Sequence, residues 1–376
     1  MSTNKLVELS RLGQSFWYDN ISRDFIESGS LKSMIEQDGL KGITSNPAIF
    51  YKSIKDGKGY DELLKTLFAD KSLSDKDIFY EIAVKDIKDA ATLLMPVYKA
   101  TGGKDGYVSM EVDPNFADNA DETIKEARML FNKIGMENVM IKIPATAEGL
   151  KAVKTLISEG VNINVTLLFS VDIYAKTITA YIDGLQERLN AGKSIEKIAS
   201  VASFFISRID TAFDKILTEK SEDTLNADEK QWYIDTMGKV AISNAKIAYQ
   251  TMVSVFSSEQ FIKLKEKGAM VQRLLWASTS TKNPMFTDVL YVNELIGPNT
   301  INTMPHETLI AFRDHGQVKR TIDLNIENAD DIIDSLSDAG INYLKITDKL
   351  LSDGVGLFVD AFNSLLKLIS QKRSSL

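Results

Sequence analysis

The chain has 376 residues, 44% of them hydrophobic and 26% charged, which suits one large globular domain with insertions or two ordinary ones. A net charge of −8 argues against a general nucleic-acid or membrane surface, and the absence of cysteine removes disulfide and thiolate chemistry. No apolar stretch is long enough to cross a bilayer and the first residues carry no apolar signal core, so a cytoplasmic protein is expected.

Short β-like runs alternate with helical patterns along the chain. The runs are residues 15–20, 42–46, 107–113, 139–145, 162–169, 200–206, 272–279 and 300–304. A helix is predicted from a cap at Ser74, with Asp77 three residues on, to about Lys99, and another over 119–133 stopping at Gly135. The segment 146–159 carries Leu150, Val153, Leu156 and Ile157 on one stripe and stops at Gly160. A further helix starts from Ser170, with Tyr174, Ile178, Tyr181, Ile182, Leu185 and Leu189 at helical spacing. Helical insertions are expected over 51–74, over 227–270 and after Asp323, a polar loop over 219–230, and a frayed end over 371–376.

Strand followed by helix, eight times over, is the pattern of a closed (β/α)8 TIM barrel with additional helical insertions and C-terminal helices. A doubly wound sheet also alternates, but no G-x-G-x-x-G or P-loop motif follows a strand. The whole of residues 1–376 is expected to form a single domain of this kind.

Strand parity selects the candidate site. In the run from Asn162 to Leu167, the apolar Ile163, Val165 and Leu167 suit the helix side, so Asn162, Asn164 and Thr166 face the barrel interior. The same parity turns Met140, Lys142 and Pro144 inward. It groups Ser109, Glu111 and Asp113 on one face, Trp17 with Asp19, Thr44 with Asn46, and Ser203, Phe205 and Ser207 together. Buried polar side chains cost free energy unless each finds a partner, and barrel active sites lie at the C-terminal ends of the strands.

Lys142 is a single cation in the apolar run 139–145. Loss of hydration disfavours its ammonium form, and a neutral amine can attack a carbonyl to form a Schiff base. The plain alternative is an edge-strand lysine that snorkels to water. Asp19 and Glu111 could divide proton shuttling and base chemistry between them. Equally, Asp19 could cap the helix near Ser22, and Glu111 could form a structural ion pair with Lys142 or, with Asp113, part of a Mg²⁺ site. His306 and His315 read as surface or helix-start residues, too few for a multi-histidine zinc site.

Taken together, six segments resemble the transaldolase family: Trp17 to Asn20, Thr44 to Pro47, Glu111 to Asp113, Ile141 to Thr146, Asn164 to Ser170 and Ser203 to Ile209. They occur in the family's order, one per strand. The length and the run Leu275 to Ser280 resemble its longer bacterial branch. The resemblance implies transfer of a dihydroxyacetone unit between sedoheptulose 7-phosphate or fructose 6-phosphate and the aldose phosphates erythrose 4-phosphate and glyceraldehyde 3-phosphate, in the pentose phosphate pathway, with no metal and no organic cofactor. It further implies Lys142 as Schiff-base residue, Asp19 as acid and base, and Glu111 with Thr166 as holders of a shuttle water. Asn46 and Asn164 would bind hydroxyls, Ser203 and Phe205 would shape the pocket, and Arg208 would hold phosphate. Shorter family members carry a second arginine after the seventh strand; here Ser278 and Lys282 are the candidates to replace it. A sister branch, the fructose-6-phosphate aldolases, usually has glutamine where Glu111 stands and tyrosine where Phe205 stands. That aldolase, a Mg²⁺-dependent barrel lyase and a non-catalytic sugar-phosphate binder are the alternative readings. A monomer or homodimer is expected.

Overall fold

The computed structural model describes residues 4–375. Eight parallel strands close into a barrel in sequential order: β1 (Gln14–Tyr18), β2 (Gly42–Ile43), β3 (Tyr107–Glu111), β4 (Val139–Pro144), β5 (Ile163–Leu168), β6 (Ser200–Phe205), β7 (Arg273–Ala277) and β8 (Thr300–Met304). The last strand returns to the first with Gln14 opposite Thr300 and Tyr18 opposite Met304. Helices cover the outside, as the sequence pattern requires.

The unit after β4 illustrates how local sequence dictates this. Thr146 caps the helix Ala147–Glu159 by accepting from the Gly149 N–H at 2.9 Å, and Gly160 closes it at φ 96°. Val153, Leu156 and Ile157 are buried, each contributing about 1.5–3 kcal/mol by leaving water. The expected stripe is therefore present, with Leu150 at its half-buried edge.

Two expectations change. Residues 219–230 are not a loop: the helix Ser207–Asp223 runs into them, and Asn226 caps the next helix, Ala227–Thr236, by accepting from the Asp228 and Glu229 N–H groups. These helix ends are almost wholly solvated, so they lack the apolar stripe that marks a helix in sequence. The helical insertion expected over 227–270 is present, as the three helices Ala227–Thr236, Val240–Phe256 and Glu259–Lys265. The chain end does not fray over 371–375, Leu376 lying outside the described residues. The last helix, Tyr343–Ser374, is held there by Arg373, which pairs with Asp75 at 3.1 Å and donates to the Leu73 carbonyl at 2.8 Å.

That helix is 32 residues long and buries Gly354, Phe358, Phe362, Leu365 and Ile369 at helical spacing. It packs on the helices Pro47–Asp56 and Asp75–Ala100 and on β5, and so crosses the C-terminal mouth of the barrel. The opposite end of the barrel is closed by a buried ion pair. Arg273 donates to Asp105 at 2.9 Å and to Ser15 Oγ at 2.6 Å, while Ser15 and Trp17 also donate to Asp105. Burial pushes the Asp105 carboxyl up, but the Arg273 guanidinium and the hydrogen bonds outweigh it and hold its pKa below the usual value. Asp105→Ala strands the guanidinium and is expected to destabilise by about 3–5 kcal/mol. Urea unfolding measures this, and a loss below about 1 kcal/mol would mean that the pair behaves like a solvated one.

Candidate active site

Lys142 lies at the centre of the barrel mouth. Its Nζ donates to the Ser45 carbonyl at 3.1 Å and stands 3.5 Å from Glu111 Oε2 on the neighbouring strand, where the two residues are paired in register. Both side chains are buried. The ion pair offered as a plain alternative is thus present, but it sits at the floor of a cavity rather than inside a closed core.

That cavity has a volume of about 230 Å³ and is lined by Asp19, Thr44, Asn46, Lys142, Thr166, Ser203, Phe205, Arg208, Ser278 and Lys282, among others. Glu111 and Asn164 stand behind this wall. Asn164 is fully buried; it accepts from Ser203 Oγ at 2.7 Å and donates to Ser109 Oγ at 3.1 Å, so it steadies the serine that faces the cavity. The cavity opens into a wider groove of about 620 Å³, which shares Asp19, Asn46, Ser280 and Lys282 and continues past Lys52 and His306.

Asp19 follows β1 and does not cap the next helix; Ser22 does, accepting from the Phe25 N–H at 3.1 Å. Asp19 instead accepts from Thr44 Oγ1 at 2.7 Å, and Thr44 also meets Thr303 at 2.7 Å. Although half-exposed to the cavity, the Asp19 carboxyl is raised by desolvation, against the opposing pull of Lys142 and the Thr44 hydrogen bond. Glu111 is pushed up to about 7 by burial, again against the attraction of Lys142, with a smaller upward push from Asp19. One amine is therefore flanked by two carboxyls that burial shifts upward, and of these Glu111 can exchange a proton near neutrality. Glu111 Oε2 and Thr166 Oγ1 have no hydrogen-bond partner within the described residues.

Asp113, which shares the parity of Glu111, is past the end of β3 and does not join the site. It pairs with Lys76 at 2.6 Å, Glu126 pairs with the same lysine at 2.6 Å, and the Asp113 carboxylate caps the short turn Pro114–Phe116. No cluster of three metal-ligating side chains occurs among the described residues. Asn162 leaves the interior set as well: it donates to the Glu137 and Val139 carbonyls and accepts from the Ala199 N–H, tying strand starts together. Asn46 both lines the cavity and caps the helix Pro47–Asp56, through the Ile49 N–H at 3.0 Å.

On the far wall, Arg208 stands in the first turn of its helix, 5.5 Å from the centre of the Phe205 ring. Burial lowers its pKa, and no carboxylate pairs with it among the described residues. Ser278 meets Ser207 at 2.8 Å and takes a left-handed φ of 56°, a strained conformation of the kind concentrated at functional sites. Lys282 reaches the cavity rim and donates to Ser280 Oγ at 3.0 Å. His306 opens the helix His306–His315 and meets Tyr18 at 3.1 Å, while His315 closes that helix on the surface, so the first is a helix-start residue and the second a surface one.

Phe358 was not singled out in the sequence, yet it lines the cavity and its ring centre lies 5.5 Å from Lys142 Nζ. The available signal was the helical spacing of Gly354, Phe358 and Phe362, which are buried on one face of the last helix.

An amine between two carboxyls at the C-terminal mouth of a (β/α)8 barrel, facing an unpaired arginine, is the layout of a barrel enzyme for carbonyl chemistry on anionic substrates. The family model for transaldolase/fructose-6-phosphate aldolase matches residues 16–369, and the chain belongs to this family. It is 49% identical over 375 residues to a protein of Trichodesmium erythraeum named transaldolase, the alignment covering 99% of this chain and 98% of the relative. It is 48% identical over 377 residues to transaldolase 2 of Nostoc sp. strain PCC 7120, covering 99% and 98%, and 42% identical over 366 residues to transaldolase 2 of Streptomyces coelicolor, covering 97% and 96%.

Proposed function

We propose that this protein is a cytoplasmic transaldolase working as one domain over residues 1–376, and that Lys142 carries its Schiff base. The observation that carries this reading is the position of Lys142: a buried amine at the cavity floor, 3.5 Å from a carboxyl raised to about 7, with a second raised carboxyl across the cavity. The donor is a ketose phosphate, sedoheptulose 7-phosphate or fructose 6-phosphate. The acceptor is an aldose phosphate, erythrose 4-phosphate or glyceraldehyde 3-phosphate.

Lys142 Nζ attacks the donor carbonyl carbon, C2. Glu111, 3.5 Å from the amine, and Thr166 in the cavity wall, both with a side-chain oxygen lacking a hydrogen-bond partner among the described residues, hold the water that moves protons as the carbinolamine loses its hydroxyl. Asp19 takes the C4 hydroxyl proton as the C3–C4 bond breaks. The electron pair of that bond flows into the iminium, leaving a three-carbon enamine on Lys142. The acceptor aldehyde then reacts at C3, Asp19 returns the proton to its oxygen, and water releases the new ketose. The lysine is the electron sink, so no metal or organic cofactor is required.

Asn46 and Ser203 face the dihydroxyacetone unit, and Phe205 walls its side. Arg208 holds the phosphate, with Ser278 and Lys282 alongside; the planar fork of arginine matches phosphate oxygens in a bidentate manner. Lys282→Ala is expected to raise KM for phosphorylated donors by roughly three- to tenfold with little change in kcat, the effect of one rim cation. An unchanged KM removes Lys282 from the phosphate site.

The test of the central claim is chemical. The protein is incubated with fructose 6-phosphate and borohydride, digested, and its peptide masses are read. A reduced dihydroxyacetone adduct is expected on Lys142; an unmodified Lys142, or an adduct on another lysine, overturns the assignment.

A further inference from the structure

The last helix places an aromatic ring over the reactive nitrogen. Phe358 lines the cavity, is 9% exposed, and has its ring centre 5.5 Å from Lys142 Nζ. One turn earlier, Gly354 allows the helix to come close: a Cβ at this position would lie 3.0 Å from Leu167 Cδ2 and 3.6 Å from Phe169. Leu167 itself adopts φ 62° within a register shift of β5. One turn later, Phe362 packs edge-on against Phe79 at 5.7 Å. Residues four apart share a helix face, so the contacts at Gly354 and Phe362 fix the height of the ring between them.

The transfer reaction has a weak point that such a ring would protect. Between loss of the first aldose and arrival of the second, a three-carbon enamine remains on Lys142. Bulk water can divert it. Its proton adds to C3, its hydroxyl adds to C2 of the resulting iminium, and the carbinolamine expels the lysine nitrogen, which takes the carbinolamine hydroxyl proton. One water is consumed, dihydroxyacetone leaves and the free amine is regenerated. The release of finished ketose draws on the water held by Glu111 and Thr166, so a cover over the nitrogen does not block it.

We propose that Phe358 is that cover: it keeps bulk water from the Lys142 enamine and thereby sets the partition between transfer and hydrolytic release of dihydroxyacetone. The inference rests on the reading of Lys142 as the Schiff-base residue. The ring face would also favour the cationic iminium over a desolvated neutral surround.

The experiment measures dihydroxyacetone released per ketose formed, with fructose 6-phosphate as donor and erythrose 4-phosphate as acceptor. For Phe358→Ala this ratio is expected to rise on the order of tenfold. Run in D₂O, the released dihydroxyacetone should carry deuterium at C3. Phe358→Tyr, which keeps the ring, should stay within roughly twofold of the parent ratio. Phe358→Leu, a milder change should the alanine variant fold poorly, should fall between them. If transfer and release decline in parallel, with the ratio unchanged in both the alanine and leucine variants, Phe358 is merely structural and the proposal fails. Borohydride trapping of the unsubstituted protein separates the two claims. No adduct on Lys142 means that the Schiff-base reading has failed; an adduct with an unchanged ratio means that only the role of Phe358 has.

Discussion

Lys142→Ala is expected to lower kcat/KM for dihydroxyacetone transfer by a factor on the order of 10⁵ or more, the scale on which deletion of a covalent nucleophile falls. Neither carboxyl can replace it, since each can move protons but neither can form an iminium. The variant should nonetheless fold. Breaking a buried ion pair normally costs about 3–5 kcal/mol because one charge is left unpaired. Here the remaining partner is Glu111, already raised to about 7, so it can take up a proton rather than stay ionised in the barrel. Circular dichroism and thermal unfolding would therefore read close to the parent while turnover is lost. Lys142→Arg is expected to be as inactive as the alanine variant, because a guanidinium stays protonated and offers no lone pair. Activity within about tenfold of the parent in either variant would sink the Schiff-base assignment.

Much of the site was legible because it follows strand periodicity. Glu111, Lys142 and Asn164 stand in register across β3, β4 and β5, which alternation over the three runs already implied. Leu167 escaped the same logic. Its run alternates cleanly, yet the structure spends a left-handed residue there, at a cost of about 1–2 kcal/mol for a side chain with a Cβ. The conformation falls within a register shift of β5 and beside Gly354, far along the chain, neither of which a local pattern reports. The Arg273–Asp105 pair is hidden for the same reason, its partners being 168 residues apart. Asp113 misled in the opposite direction: it has the parity of Glu111, but β3 ends at Glu111, and Lys76 from a distant helix takes its carboxylate. Local propensity thus placed the elements and most inward side chains, whereas bulges, ion-pair partners and the roof of the site were decided by long-range packing.

Glu111→Gln is expected to lower kcat by a factor of roughly 10² to 10⁴, the usual contribution of a positioned proton-transfer group. Glutamine preserves shape and can still accept a hydrogen bond, but it cannot give up or take a proton as the carbinolamine loses water. Borohydride trapping on Lys142 should slow in proportion, which distinguishes this loss from a failure of donor binding. In the parent protein, the limb of the pH–rate profile that rises with pH is expected near about 7, the value to which burial raises Glu111, and it should vanish in the variant. Stability carries the same signature with its own sign. The folded pKa lies above the ordinary value of 4.5, so the native state binds the extra proton between these limits. The contribution of Glu111 to stability is then fully present below 4.5 and is lost as pH rises through about 7. Between about pH 5 and about pH 8, the parent should therefore lose on the order of 2–3 kcal/mol relative to Glu111→Gln in denaturant unfolding. Parallel stability curves in the two proteins would mean that Glu111 is ionised throughout, and would leave the shuttle role without its proton.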